Sequence, residues 1–403
     1  MVEPVFMKIY NTLSRKKEKF TSIKDNQLTI YVCGITPYDT THLGHAFTYI
    51  SFDVLIRYLE YKKYKINYTQ NVTDINDRDN DILKRAKEQN ISWQDLSSFW
   101  TKKFLDDMGK LNWRFPNNYL YASEQIDSMV RLIDRLIQNK IAYSVNGNVY
   151  LDVSKDKNYG KLSKLSKKEM IKIAKDYEED IENPNKINPL DITLWRASSS
   201  NQTDHIPSFD SHFGKGRPGW HIECSAMAIS TLGEQIDIHG GGKDLIFPHH
   251  EAEIAQAENA TKKPPFVKTW MHAGIISYEG EKMSKSLGNL IMVSDLLKKY
   301  SSNTIRWVLL SHHYREDWEF DYKELDNANI IIFEIEKALN AKITVNENDT
   351  DYIKQLELFM DDDLDTPKVL NLIHEIAQNI NSGNAKSGAI DFVKKALEIL
   401  GFN

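Results

Sequence analysis

QLTIYVCGITPYDTTHLGHAFTYISFDVLIRYLEYKKYKINYTQNV, residues Gln27–Val72, decides how this chain folds. Gln27 to Val32 is a short apolar run ending at Cys33 and Gly34, and it reads as a buried strand. Thr41 is placed to cap a helix whose apolar positions Phe47, Ile50, Val54, Leu55 and Tyr58 recur at helical spacing. Ile66 to Val72 reads as a second strand, closed by the polar turn TDINDRDND. Strand, helix and strand within about 45 residues make a βαβ unit, with ligands expected at the carboxyl ends of its strands. Cys33 and the turn starting at Thr73 both fall at that edge.

A second stretch, RPGWHIECSAMAISTLGEQIDIHGGGKDLIFPHHEAE (Arg217–Glu253), holds Cys224, the other of two cysteines. His249 and Glu253 stand i, i+4 and share a face if a helix begins near Pro248. Thiolate, imidazole and carboxylate are all ligands that zinc accepts. Singly, each such residue is usually structural, and lone cysteines serve equally as buried apolar groups. His42 and His45 lie one turn apart at a helix start, where dipole and free amides favour phosphate. Seen alone, they serve as readily as surface or capping residues. The glycines after His239 let a backbone approach a nucleoside, although a bare Gly-Gly-Gly is more often a flexible turn. In EGEKMSKSLGN (Glu279–Asn289), Lys282 and Lys285 sit on a loop between a strand and a helix starting near Val293. Mobile positive charge on a closing loop suits phosphoryl and nucleotidyl transfer.

Together these residues resemble a known family. His42-Leu43-Gly44-His45 resembles the first signature of the class I aminoacyl-tRNA synthetases, and Lys282-Met283-Ser284-Lys285-Ser286 the second. Joined to YVCGITPYD, GWHIECSAM and HGGGKDLIFPHHEAEIAQ, they resemble the cysteine-activating branch over roughly residues 7–400. The resemblance implies an α/β fold: a Rossmann-like catalytic domain with an inserted acceptor-stem region, followed by a C-terminal helical bundle. Its expected parts are residues 1–80 (first half of the catalytic domain), 81–190 (mainly helical insertion), 191–300 (second half, with metal site and lysine loop) and 301–403 (stem-contact region and bundle). NPLDITLWRA (Asn188–Ala197) resembles the family's return strand into the catalytic domain.

The resemblance also implies chemistry. L-cysteine and ATP give cysteinyl-adenylate, and the cysteinyl group passes to tRNA(Cys). His42, His45, Lys282 and Lys285 are the implied catalytic residues. Gly44, His239, Gly241, Gly242, Asp244 and Lys285 are implied for ATP, and Cys33, Thr73, Trp220, Cys224 and His249 for cysteine. Cys33, Cys224, His249 and Glu253 are the implied ligands of one zinc ion, with Mg2+ arriving on ATP. Zinc would accept the substrate as a thiolate and so exclude serine, which one-methylene sieving cannot do.

The chain departs from the pattern at Asn403, where the family continues into a small anticodon-reading domain, so a short form lacking it is expected. The cysteine ligases of mycothiol biosynthesis share the catalytic core, end near this length and pass cysteine to an amino sugar–inositol. There the second acidic residue of HHExE is commonly replaced, whereas Glu253 remains here. An inactive paralogue serving as an RNA-binding module is the third reading. The intact histidines, lysines and metal ligands argue against it.

Bulk properties set the frame. A hydrophobic fraction of 41% and a charged fraction of 27% are ordinary for a soluble protein. No apolar run approaches the ~20 residues of a membrane span, and MVEPVFMKIY lacks the pattern of a signal peptide. Two cysteines argue against a disulfide framework and for a reducing, cytoplasmic setting, where a monomer is expected. A net charge of −6 gives no global attraction to RNA, so contacts must come from local basic patches. Lys155 to Lys175, with eight lysines, reads either as such a patch or as solvated mixed-charge surface. Asn146-Gly147 marks a hairpin, and Pro367 after Asp365 and Thr366 marks a helix start.

Overall fold

The computed structural model describes residues 6–38, 41–177, 179–199, 206–283, 287–341 and 351–403. Strand β1 (Gln27–Ile35), helix α1 (Leu43–Tyr61) and strand β2 (Lys65–Val72) form the expected βαβ unit. β1 continues through Cys33 and Gly34 because Ile35 still pairs with Val72, past a register shift after Val32. Only glycine fits there: a Cβ on Gly34 would lie 1.5 Å from the Asn71 carbonyl oxygen. The helix cap is His42 rather than Thr41, its Nδ1 accepting from the His45 N–H at 3.3 Å. The Thr41 carbonyl accepts from the Val293 N–H at 3.0 Å.

Helix α2 (Trp93–Lys110) leads to β3 (Asn118–Tyr121), which pairs parallel to β2. Helix α3 (Trp220–Leu232), strand β4 (Ile236–Gly242), helix α4 (Glu251–Thr261) and strand β5 (Val267–Ala273) complete the unit. The five strands are parallel in the order β3-β2-β1-β4-β5. This is a doubly wound nucleotide fold, whose crevice opens at the switch point between β1 and β4. Side-chain alternation divides the two faces of the sheet. Ile30, Val32 and Ile238 pack under α1 and the C-terminal helices, whereas Tyr31 and Cys33 face α3 and α4.

Between β3 and α3 the chain builds an antiparallel sheet of Ala142–Val145, Asn148–Leu151, Ile192–Ala197 and Gly216–Pro218. Asn146 and Gly147, at φ 51° and 77°, close its hairpin. Two local expectations change here. β3 lies inside the segment 81–190 yet belongs to the parallel sheet; its four half-buried residues show no alternation that would mark it. Ile192–Ala197 does not return to the parallel sheet, because strands of the insertion flank it on both sides.

Helices Tyr322–Leu339, Asp351–Asp361, Thr366–Asn381 and Ala389–Ile399 form the C-terminal bundle. Asp365 caps the third, accepting from the Lys368 N–H at 3.2 Å. Arg306, fully buried, ties the bundle to the catalytic domain. It donates to the Leu400 carbonyl at 2.7 Å, to the Leu111 carbonyl at 2.9 Å and to the Asp53 carboxylate of α1. Among the described residues, no helix is long and apolar enough to cross a membrane.

Candidate active site and metal centre

A cleft of about 390 Å³ opens at the carboxyl ends of β1 and β4. Cys33, Thr73, Trp220, Cys224 and His249 line one part of it, and His42, Gly44, His45, Gly242, Asp244 and Lys282 line another. Residues expected at an amino-acid site and at a nucleotide site thus share one cavity. Lys285 lies outside the described residues.

Four buried donors converge at the first part. Cys33 Sγ is 3.7 Å from Cys224 Sγ and 3.5 Å from Glu253 Oε1, and His249 Nε2 is 3.3 Å from the same oxygen. Tetrahedral zinc with ordinary bond lengths requires edges of about 3.8 Å (S to S), about 3.6 Å (S to O) and about 3.4 Å (N to O). The donor set therefore fits a metal ion. Its electrostatics also call for one. Burial raises the Cys33 thiol and the Glu253 carboxyl and lowers His249, and the neighbouring acids push Cys33 further up. A divalent cation would offset that desolvation. His249 and Glu253 meet although α4 starts only at Glu251, because a turn over Ile246–His250 carries the chain into it.

A second donor group, Cys33, His239, His250 and Glu253, overlaps the first. His250 Nε2 is 3.3 Å from Cys33 Sγ, but of this group only Cys33 lines the cleft. The first group alone has three members on the cleft wall. His239 and Gly241 are not on that wall, contrary to the sequence expectation for ATP. The cause is strand alternation. His239 points to the α3–α4 face, 3.5 Å from Cys33 Sγ, and Gly241 makes room there for His250 and Leu245. Gly242 points the other way, toward Thr48 of α1.

At the nucleotide end, the His42 and His45 rings stack 3.7 Å apart. Burial lowers His42 to about 4, with Asp244 opposing and Lys282 reinforcing the fall. Burial, then His42, lowers His45 as well. Both rings are thus neutral near pH 7. Among the described residues, His45 Nδ1 is buried without a partner. Lys282 Nζ reaches Asp244 Oδ2 at 3.0 Å, linking the lysine loop to the glycine turn.

Several side chains at the site were not among the residues expected from sequence. Asn71 accepts from the Gly34 N–H at 2.8 Å and donates to Thr73 Oγ1 at 3.1 Å. His221 Nδ1 lies 2.9 Å from His249 Nδ1, and His221 Nε2 lies 3.1 Å from Glu179 Oε1. Arg78 donates to Glu179 at 2.8 Å and lays its guanidinium 3.9 Å over Trp220. Burial would raise the Glu179 carboxyl, but His221 and Arg78 more than offset it and hold it at about 2. His221 adjoins Trp220 in GWHIEC, a hint available in the sequence. Arg78 and Glu179 are distant in sequence and meet only in the fold.

Comparison with known proteins agrees with this geometry. Residues 19–330 match the family model for tRNA synthetases class I (C) catalytic domain. A cysteine–tRNA ligase of Thermodesulfovibrio yellowstonii is 39% identical over 422 residues, covering 98% of this chain and 84% of the relative. One from Legionella pneumophila is 40% identical over 403 residues, with the same shares. A methionyl-tRNA synthetase of Mycobacterium tuberculosis in complex with methionyl-adenylate has a TM-score of 0.64 at 14% identity. It covers 93% of this chain and 88% of its own, and shares the fold. The chain belongs to the class I (C) family of tRNA synthetases.

Proposed function

We propose that the protein is a cysteine–tRNA ligase, converting L-cysteine and ATP to cysteinyl-adenylate and passing the cysteinyl group to tRNA(Cys). One observation carries this reading: thiol-and-imidazole metal donors and a paired-histidine nucleotide end line the same cleft. We assign zinc to Cys33, Cys224, His249 and Glu253, and Mg2+ to ATP. The chemistry zinc supplies there is a preference for a thiolate over an alcohol.

The chain's own residues orient the reactants. A carboxylate oxygen of cysteine attacks the α-phosphorus of ATP, and pyrophosphate leaves. A hydroxyl of the terminal adenosine then attacks the acyl carbon, and AMP leaves. Neither step needs a protein nucleophile. Neutral His42 and His45 donate hydrogen bonds to phosphate oxygens as charge develops, and Lys282 and Lys285 neutralise the triphosphate. Gly242 and Asp244 border the nucleoside, and Thr73 and Trp220 border cysteine. Two buried free thiols suit a reducing cytoplasm, and we assign a monomer.

Cysteine-dependent ATP–pyrophosphate exchange and charging of a tRNA(Cys) transcript test the proposal. Exchange without charging, with transfer to an amino sugar–inositol, would redirect it to a small-molecule ligase. Absence of exchange would overturn it.

A further inference from the structure

Five side chains from four chain segments close a ring behind the metal donors. Glu179 accepts from Arg78, whose guanidinium covers one face of Trp220. The Trp220 ring stacks on His249 at 4.3 Å and 28°. His249 meets His221 through Nδ1, and His221 returns to Glu179 through Nε2. Trp220 and His249 line the cleft; Glu179 does not.

The ring has a direction set by elementary hydrogen-bond chemistry. A carboxylate only accepts, so Glu179 requires the proton on His221 Nε2. His221 Nδ1 faces His249 Nδ1, and a metal on His249 Nε2 requires the proton of that ring on Nδ1, so His221 accepts there with its own proton on Nε2. That leaves the lone pair of His249 on Nε2, the nitrogen facing Glu253. Glu179 thereby selects the tautomer able to bind a metal, and through Arg78 it pins the aromatic wall beside that metal. It belongs to neither half of the nucleotide fold. It lies in the insertion, on the turn after helix Lys167–Asp176, where its own N–H donates to the Ala174 carbonyl at 2.9 Å.

We propose that Glu179 is a positioning residue through which the insertion sets the metal affinity and cysteine selectivity of the catalytic domain. The inference rests on the assignment of zinc to Cys33, Cys224, His249 and Glu253. Partners that orient a ligating histidine are typically worth about 10–100-fold in metal affinity.

Competition between the protein and a chromophoric chelator measures zinc binding independently of catalysis. Glu179→Met keeps the length of the side chain and removes its acceptor, so zinc affinity should fall by about 10–100-fold. The KM for cysteine should rise while the KM for ATP holds. Glu179→Gln retains an acceptor oxygen for the His221 N–H and should stay near the wild-type affinity. In a His221→Leu background, where the chain is already cut, Glu179→Met should add no further loss of zinc. Equal loss in the Met and Gln variants, or additive losses in the double variant, would overturn the proposal. So would a Glu179→Met protein that holds zinc as tightly as wild type. Wild-type protein that binds no zinc would instead overturn the metal assignment itself.

Discussion

His42 and His45 stack face to face, 3.7 Å between ring centroids, with His42 capping the helix that carries His45. One ring therefore holds the other in place at the nucleotide end of the cleft. The arrangement leaves His45 Nδ1 buried and without a partner among the described residues. Removing a donor aimed at developing charge typically costs about 10²–10³ in rate. His45→Ala should lower cysteinyl-adenylate formation by that order, with little change in the KM for cysteine. A variant with wild-type pyrophosphate exchange would remove His45 from the mechanism.

The same burial makes the protein acid-sensitive. His42 is lowered to about 4, whereas an unfolded histidine titrates near ~6.5. Between those values the unfolded chain binds more protons. The contribution to stability is thus complete above pH ~6.5 and is lost as pH falls toward 4. Urea midpoints should drop across that window, and replacing both histidines with asparagine should flatten the slope. An unchanged slope in the double variant would contradict the neutral, buried state of the pair.

Selection of cysteine is expected to follow the metal. Elemental analysis should find about one zinc per chain, and Cys224→Ser should lose metal and cysteine activation together. A metal-free preparation that still prefers cysteine strongly over serine would sink this assignment.

Arg306 and Asp53 form a buried pair with almost no exposure on either side chain. Asp53→Ala leaves the guanidinium buried and unpaired, which typically costs about 3–5 kcal/mol. Calorimetry or urea titration should register that loss. The double variant Asp53→Leu, Arg306→Met should recover only part of it, because the Leu400 and Leu111 carbonyls lose their donor. Full stability in Asp53→Ala would mean that the pair does not hold the bundle in place.

Local chemistry was legible in the chain itself. Apolar spacing marked β1, α1 and β2; Asn146-Gly147 marked a hairpin; Asp365 and Pro367 marked a helix start; and the i, i+4 spacing of His249 and Glu253 pointed to their meeting. These signals act within a few residues, so sequence carries them. Which face of a strand a residue occupies depends on its register with neighbours, and that is a property of the sheet. His239 accordingly turned from the expected nucleotide end toward the metal donors. β3 joined the parallel sheet because β2 offered it a free edge, and its own residues gave no sign of it. The cap passed from Thr41 to His42 because the Thr41 carbonyl was taken by Val293, far along the chain. The ring through Glu179, Arg78 and His221 is of the same kind. Its hydrogen bonds join segments that only tertiary packing brings within reach, and no spacing along the chain encodes them.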